Sequence, residues 1–362
     1  MTRLAGWRNI DAMKALTILV TAVLAGRCLS AEGVAEAWTK VAEVDRVLVG
    51  DYEGEWSDAP AGQYFDINRP IAAQVLNLRE GQYGIRMFQE HDRRADPYFE
   101  GQGVLEGGVI RFGSGEVEGT VSKDGMSGTF RLPEGQKARF SLGRKVRSSP
   151  TLGAPAPAGA VVLFDGRNFD AWTHKDGEKV TWALPGNGAM EVASNEERMK
   201  KRLPGDIRTK QSFGDFRLHL EFRYPVDPGK AGQKRGNSGV FLQDTYEVQV
   251  LNSFGLAGNW NECGALYKTA PPKVNAARPP MEWQTYDIEY RASVWKDGRK
   301  ISPPRVTVRL NGVLIHNGEE IPHATSHAFK LRGEEPEGPQ PLRLQDHGDP
   351  IQYRNIWIVP GQ

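Results

Sequence analysis

Glu247 and Gln249 stand two apart in Tyr246-Glu247-Val248-Gln249-Val250, and Arg343, Gln345 and His347 keep the same spacing in Arg343-Leu344-Gln345-Asp346-His347-Gly348. A β-strand sends alternate side chains to opposite faces. Each stretch therefore predicts a strand with a polar face, backed by Val248, Val250, Leu342 and Leu344. Polar residues repeated on one face point to a wet, concave surface rather than an outer skin. Two groups on it could carry protons: the carboxyl of Glu247 and the imidazole of His347, the side-chain type that ordinarily titrates nearest neutrality. A retaining glucanase would need a second carboxylate about 5 Å from the first. The Glu-Val-Gln spacing supplies an amide there instead, and alternation sends Asp346 to the opposite face unless the strand ends before it.

Other residues can be carried to the same face by pairing. In Asn237-Ser238-Gly239-Val240-Phe241-Leu242 the alternation puts Asn237 and Phe241 together, and a hairpin through Asp244-Thr245 brings Asn237 beside Glu247 and Gln249. Arg235 just precedes that strand and, like Asn237, could stabilise an oxyanion. Trp260 and Tyr267 flank a loop whose rings could stack on a pyranose at the rim. Glu247 and His347 could instead share a divalent cation; no spacing calls for any other cofactor. His174, His219, His316, His323 and His327 show no metal-ligand spacing and are expected on surfaces and loops. Cys263 has no neighbouring His or Cys and is expected to be a small buried residue.

The elements needed to position these groups are nearly all strands. Short alternating runs separated by glycine-containing turns fill residues 41–146, from Ala72–Leu78 to Ala138–Leu142, and predict a small antiparallel meander or open barrel. It contains no catalytic constellation, and His91-Asp92-Arg93-Arg94 reads as a solvated loop. On that ground the barrel should be dispensable for chemistry. Residues 147–158, rich in Pro and Ala, predict a semi-extended linker. In residues 159–362 strands are expected at Val161–Phe164, Val180–Ala183, Ala189–Val192, Phe216–Tyr224, Ser238–Gln243, Tyr246–Leu251, Gln284–Ala292, Arg305–Leu310, Val313–His316, Leu342–Gln345 and Gln352–Val359, with one short helix at Asn195–Lys201. The fold class is all-β: two β domains, the second a two-sheet jelly-roll sandwich of the concanavalin type.

Residues 1–31 have the layout of a secretory signal peptide: Arg3, Arg8 and Lys14, an apolar stretch from Ala15 to Gly26, and Ala31 before Glu32. Export to the periplasm or the cell exterior is expected, with no transmembrane segment in the mature chain. Loss of Cys28 with that segment would leave Cys263 alone, so no internal disulfide could form. A formal charge of +1 over 362 residues offers no basic field for nucleic acid. Nine Trp and 41 Gly suit a turn-rich β-protein that handles flat polar ligands such as sugars.

Leu163-Phe164-Asp165-Gly166 with Trp172, Phe213-Gly214-Asp215-Phe216, Asn237-Ser238-Gly239-Val240, Tyr246-Glu247-Val248-Gln249-Val250, Asn311-Gly312, and Leu344-Gln345-Asp346-His347-Gly348 with Arg354-Asn355-Ile356 occur in that order. In this the chain resembles the 3-keto-disaccharide hydrolase family over about residues 160–360. The resemblance implies a glucanase-type jelly roll, a bacterial exported protein, and action on glycosides whose sugar is oxidised at the third carbon. Gln284 departs from the family's more frequent Asn after Trp283. A ketone at the third carbon acidifies the proton on the second, so a base can remove it and expel the anomeric substituent, and water can then add. Glu247 and His347 are the expected catalysts, with Arg235, Asn237, Gln249, Trp260, Tyr267, Arg343, Gln345 and Asp346 around the substrate. The competing expectations are a lectin using the same face without chemistry, since the fold hosts both, and a structural or adhesive protein.

Overall fold

In the computed structural model, residues 38, 43–57, 70–94, 96–131, 135–227, 229–325 and 335–361 are described. The expected signal segment 1–31 and His327 lie outside them. No helix among the described residues is long and apolar enough to cross a membrane.

A short helix, Glu43–Leu48 (α1), precedes eight strands: Gly50–Ser57 (β1), Ile71–Arg79 (β2), Gln82–Phe88 (β3), Phe99–Glu106 (β4), Val109–Ser114 (β5), Val117–Ser122 (β6), Gly125–Arg131 (β7) and Lys137–Lys145 (β8). They form an antiparallel meander, and because β1 pairs with both β2 and β8 the barrel is closed rather than open. No strand was expected at β1, whose Gly, Asp and Glu are poor strand formers. It is held by the burial of Tyr52 and Trp56 in the barrel core with Val75, Ile85 and Phe140. Gly54 is what lets β1 come close to β8: a Cβ there would fall 2.0 Å from the carbonyl oxygen of Ser141.

The second domain contains Val161–Phe164 (β9), Trp172–Thr173 (β10), Met190–Glu191 (β11), Asn195–Lys201 (α2), Ile207–Phe213 (β12), Phe216–Arg223 (β13), Ser238–Leu242 (β14), Tyr246–Val250 (β15), Gln284–Arg291 (β16), Val294–Lys296 (β17), Arg299–Ser302 (β18), Arg305–Leu310 (β19), Val313–Glu320 (β20), Gln340–Leu344 (β21) and Gln352–Pro360 (β22). A five-stranded sheet in the order β10-β12-β21-β14-β15 faces a seven-stranded sheet in which β11 and β9 border β22 and β13, β16, β19 and β20 follow. Val240, Leu242, Val248, Val250, Leu342 and Leu344 from the first sheet meet Leu220, Phe222, Tyr286, Ile288, Ile356 and Ile358 from the second in one core. The alternation anticipated for β14, β15 and β21 therefore has its apolar side inward. Val180–Ala183 does not form a strand; Ala183 makes only an isolated bridge to Glu191.

The segment joining the domains is clasped along the outer face of the seven-stranded sheet. Gly153 N–H donates to Glu221 Oε1 at 2.6 Å, Thr151 Oγ1 donates to Asp287 Oδ2 at 2.6 Å, and the carbonyl of Ala154 accepts from Asn355 and Trp357. The stretch His91–Arg94 is not simply solvated. His91 is buried against Asp51, and Asp92 binds Arg147 at 2.7 Å and Arg278, from the second domain, at 3.3 Å.

Candidate functional site

The site is built on the outer face of the five-stranded sheet. Glu247 on β15 lies opposite Phe241 on β14, Phe241 opposite Arg343 on β21, and Arg343 opposite Arg208 on β12. Directly paired residues share a face, so these four form one row across the sheet. Beyond β15 the row continues with Tyr267, whose N–H donates to the carbonyl of Glu247 at 3.1 Å. The adjacent row is Gln345, Gly239 and Gln249: Gly239 pairs with Gln249, and its carbonyl accepts the N–H of Gln345 at 3.0 Å.

Gly239 is the floor between these polar groups. A Cβ there would sit 2.6 Å from Oε1 of Glu247 and 3.0 Å from the Phe241 ring, so the carboxyl lies over bare backbone. The atoms in the way are the ends of movable side chains. Gly239→Ala is expected to displace the Glu247 carboxyl and cut turnover at least tenfold, with a melting temperature within a few degrees of wild type. Turnover assays beside thermal melts test this, and an unimpaired alanine variant would refute it.

Glu247 is 3% exposed and its Oε2 finds no hydrogen-bond partner among the described residues. Burial, which disfavours the charged form, pushes its pKa up to about 8, against the pull of Arg343 and Lys268 and with help from Asp206. The side chain is thus a neutral acid at neutral pH. Around it, Oδ1 of Asn237 and Oε1 of Gln249 and Gln345 are also buried without partners. Every one of these atoms is an oxygen. Such a lining fits a ligand that brings several O–H donors, since each buried acceptor left alone is costly.

Arg343 carries the remaining charge. Its guanidinium lies 3.5 Å over the Phe241 ring and binds Asp206 Oδ2 at 2.5 Å and Asp244. Arg208 also engages Asp244, at 3.1 Å. Two of the nearby carboxylates are therefore already committed to arginines.

The expected row Arg343, Gln345, His347 breaks after its second member, because β21 ends at Leu344. Asp346, just past the end of the strand, is buried. Its Oδ1 accepts the N–H of Gly348 at 2.9 Å, and Gly348 has a φ of +83° that closes the turn. Burial raises the Asp346 pKa to about 6, moderated by Arg198. His347 projects outward and is exposed. Arg235 does not join the site: its Nη2 donates to the carbonyl of Asn77 in the barrel at 3.0 Å. Asn237 does join it, with Gln249, through Gln233. Trp260 is 46% exposed and its ring centre lies 5.8 Å from that of Tyr267, nearly edge-on, so both aromatic residues stand on the loop beside β15.

Among the described residues no three His, Cys, Asp or Glu side chains come together as a metal site, and Glu247 and His347 are split between the buried face and the exposed turn. His174, His219 and His316, expected at the surface, are buried; His219 Nδ1 donates to Asp287 Oδ1 at 2.7 Å, and His316 Nε2 donates to the Gly264 carbonyl at 2.8 Å. Cys263 is fully buried against Tyr286, and burial pushes its thiol up to about 11, which makes it a poor nucleophile. The amide of Gln284 accepts from Arg278 N–H at 2.8 Å and from Asn311 at 3.2 Å, so it serves the fold. Arg208, Asp206, Asp244, Gln233 and Gly239 were not anticipated. The Asn-Ser-Gly-Val motif contained one signal for them, a glycine facing the polar side of a strand.

The family model of the 3-keto-alpha-glucoside-1,2-lyase-like domain matches residues 159–359. The chain belongs to this family. Its sandwich is thus a 3-keto-alpha-glucoside-1,2-lyase-like domain, and the barrel lies outside the match. A candidate glycosyl hydrolase from Parabacteroides distasonis ATCC 8503, solved at 2.13 Å, is 39% identical with a TM-score of 0.51; the match covers 57% of this chain and 86% of that one. A second candidate glycosyl hydrolase from the same organism, at 1.70 Å, is 20% identical with a TM-score of 0.41, over 56% of this chain and 94% of that one. No curated protein matches the chain. The family match and the 39%-identical structure make it a glycosyl hydrolase-like protein whose lyase-like domain holds the polar face described above.

Proposed function

We propose that the protein cleaves 3-keto-glycosides by elimination followed by hydration, with Glu247 as the proton donor. The observation that carries this is the buried Glu247 carboxyl, its pKa pushed up to about 8, with unpartnered acceptor oxygens around it. A base takes the proton from the second carbon, the freed electron pair forms the double bond between the first and second carbons, and the bond to the anomeric oxygen breaks. That oxygen takes the Glu247 proton and departs as an alcohol. Addition of water across the double bond completes a net hydrolysis. His347, exposed at the turn after β21, is the proposed base; its open position suits exchange of the abstracted proton with solvent. Arg343, next but one to Glu247 in the row, is the proposed stabiliser of the enolate oxygen in place of Arg235. Asp206 and Asp244 are paired with arginines, so neither is free to attack or to activate water as the second carboxylate of a two-carboxylate mechanism.

The proposal is tested by incubating the full-length chain with a 3-keto-glucoside carrying a chromogenic aglycone. Release of the aglycone is expected. Binding without release would assign a lectin instead. Trp260→Ala should raise KM about tenfold with an unchanged melting point, because the ring is half exposed and base-like stacking on a sugar is its available role. An unchanged KM would remove Trp260 from the substrate site.

A further inference from the structure

Two amides in the site have their oxygens buried and unpartnered, and the direction in which each points is forced from outside the sheet. Gln233, in the 3-10 turn Gly232–Lys234, donates from Nε2 to the main-chain carbonyl of Asn261 at 2.7 Å. A carbonyl can only accept, so the other end of the Gln233 amide must be its oxygen. That oxygen receives Nε2 of Gln249 at 3.0 Å, which leaves Oε1 of Gln249 turned away and without a partner. Asn237 is fixed the same way: its Nδ2 donates to the Gln233 main-chain carbonyl at 2.8 Å and approaches Gln233 Oε1 at 3.4 Å, which leaves Oδ1 unpartnered. One main-chain carbonyl thus sets Asn237 directly, and a second sets Gln249 through the Gln233 side chain.

We infer that the Gln233 side chain is a positioning group that locks Gln249 as an acceptor beside Asn237, and that the site thereby selects sugars presenting hydroxyl donors to that wall. Without Gln233 the Gln249 amide can rotate and present its NH₂ group, and the wall loses its preference for a donor. The inference rests on the proposed sugar-cleaving reading and adds the specificity determinant. Asn261 lies next to Trp260, so the same side chain also ties the aromatic loop to the wall.

The test uses the full-length protein, a glucose-configured 3-keto-disaccharide, and deoxyfluoro analogues of it that accept but cannot donate a hydrogen bond. Wild type should bind the best-discriminated analogue at least tenfold more weakly than the parent sugar. Gln233→Met should raise KM for the parent about tenfold, shrink that discrimination to within about threefold, and leave kcat nearly unchanged. Gln233→Glu loses the donor to the Asn261 carbonyl, so the ionised glutamate should not restore the discrimination. A methionine variant with wild-type KM and wild-type discrimination overturns the inference. A second measurement needs no substrate: the side-chain NH₂ protons of Gln249 should exchange slowly by NMR in wild type and at least tenfold faster in Gln233→Met, while those of Asn237, held by the main-chain carbonyl of residue 233, should change little. Equal Gln249 exchange in the two proteins also overturns it. If wild type neither binds nor cleaves any keto-sugar, the proposed function fails, and the exchange measurement still decides whether Gln233 orients the wall.

Discussion

Glu247→Gln is expected to lower kcat by about 10²–10⁴-fold, the range that a positioned proton donor contributes, while making the protein more stable at alkaline pH. The two effects come from the same burial. In the folded chain the carboxyl titrates at about 8, against an ordinary value of 4.5. Between those values the folded state holds a proton that the unfolded chain has lost. Stability linked to this group is therefore fully present below about pH 4.5 and is lost as pH rises through about 8. The difference is on the order of 5 kcal/mol for the whole interval. A glutamine cannot ionise, so its stability curve lacks that decline. Urea or thermal unfolding of both proteins at pH 5, 7 and 9 should give curves that diverge progressively in favour of the variant. Parallel curves would show that Glu247 is ionised at neutrality and would remove it as a proton donor. Wild-type turnover should also fall above about pH 8, when the donor has lost its proton.

How much of this site could be read from the residues differs from strand to strand for physical reasons. β15 was legible because both faces of the sheet announce themselves: Val248 and Val250 enter the core while Glu247 and Gln249 leave it. The end of β21 was not, since the alternation in Leu344-Gln345-Asp346-His347 continues past the point where the Asp346–Gly348 turn stops the strand. Past that turn Asp346 is buried, while His347, expected on the polar face with Gln345, is exposed. β12 went unseen because Arg208, Lys210, Gln211 and Ser212 make it look like a loop, yet its pairing with β21 puts Arg208 beside Arg343. Gln233 sits in a short turn with no periodicity at all. Its role exists only through partners contributed by three other segments.

Arg235 was misplaced for a reason that also bears on the barrel. It is two residues from Asn237, but its side chain runs to the Asn77 carbonyl in the barrel, and its own carbonyl accepts the N–H of Asn252 at 3.0 Å. Asn252 begins the segment that leaves β15, and Phe254, two residues on, is fully buried in the barrel's hydrophobic cluster. Arg86 of the barrel then donates to the carbonyl of Leu256 at 2.8 Å. Both strands that carry the acceptor wall therefore run directly into barrel contacts. The barrel has no catalytic constellation, as expected, but this packing argues that it cannot be removed without cost.

A chain beginning at residue 158 would leave Phe254 in water and strip Arg278 of Asp92. It is expected to be poorly soluble or to melt well below the intact protein, with turnover lost alongside. Phe254→Ala in the full-length chain isolates the apolar part of that contact and should cost about 3–5 kcal/mol, the usual range for a buried phenylalanine. Because Phe254 lies four residues beyond the end of β15, the variant should also raise KM while Glu247 keeps its alkaline activity limb. Comparing unfolding curves and steady-state kinetics of the two altered proteins with wild type distinguishes support from mere attachment. A fragment that melts and turns over like the intact chain would mean that the sandwich holds its polar wall by itself and that Phe254 anchors only the barrel.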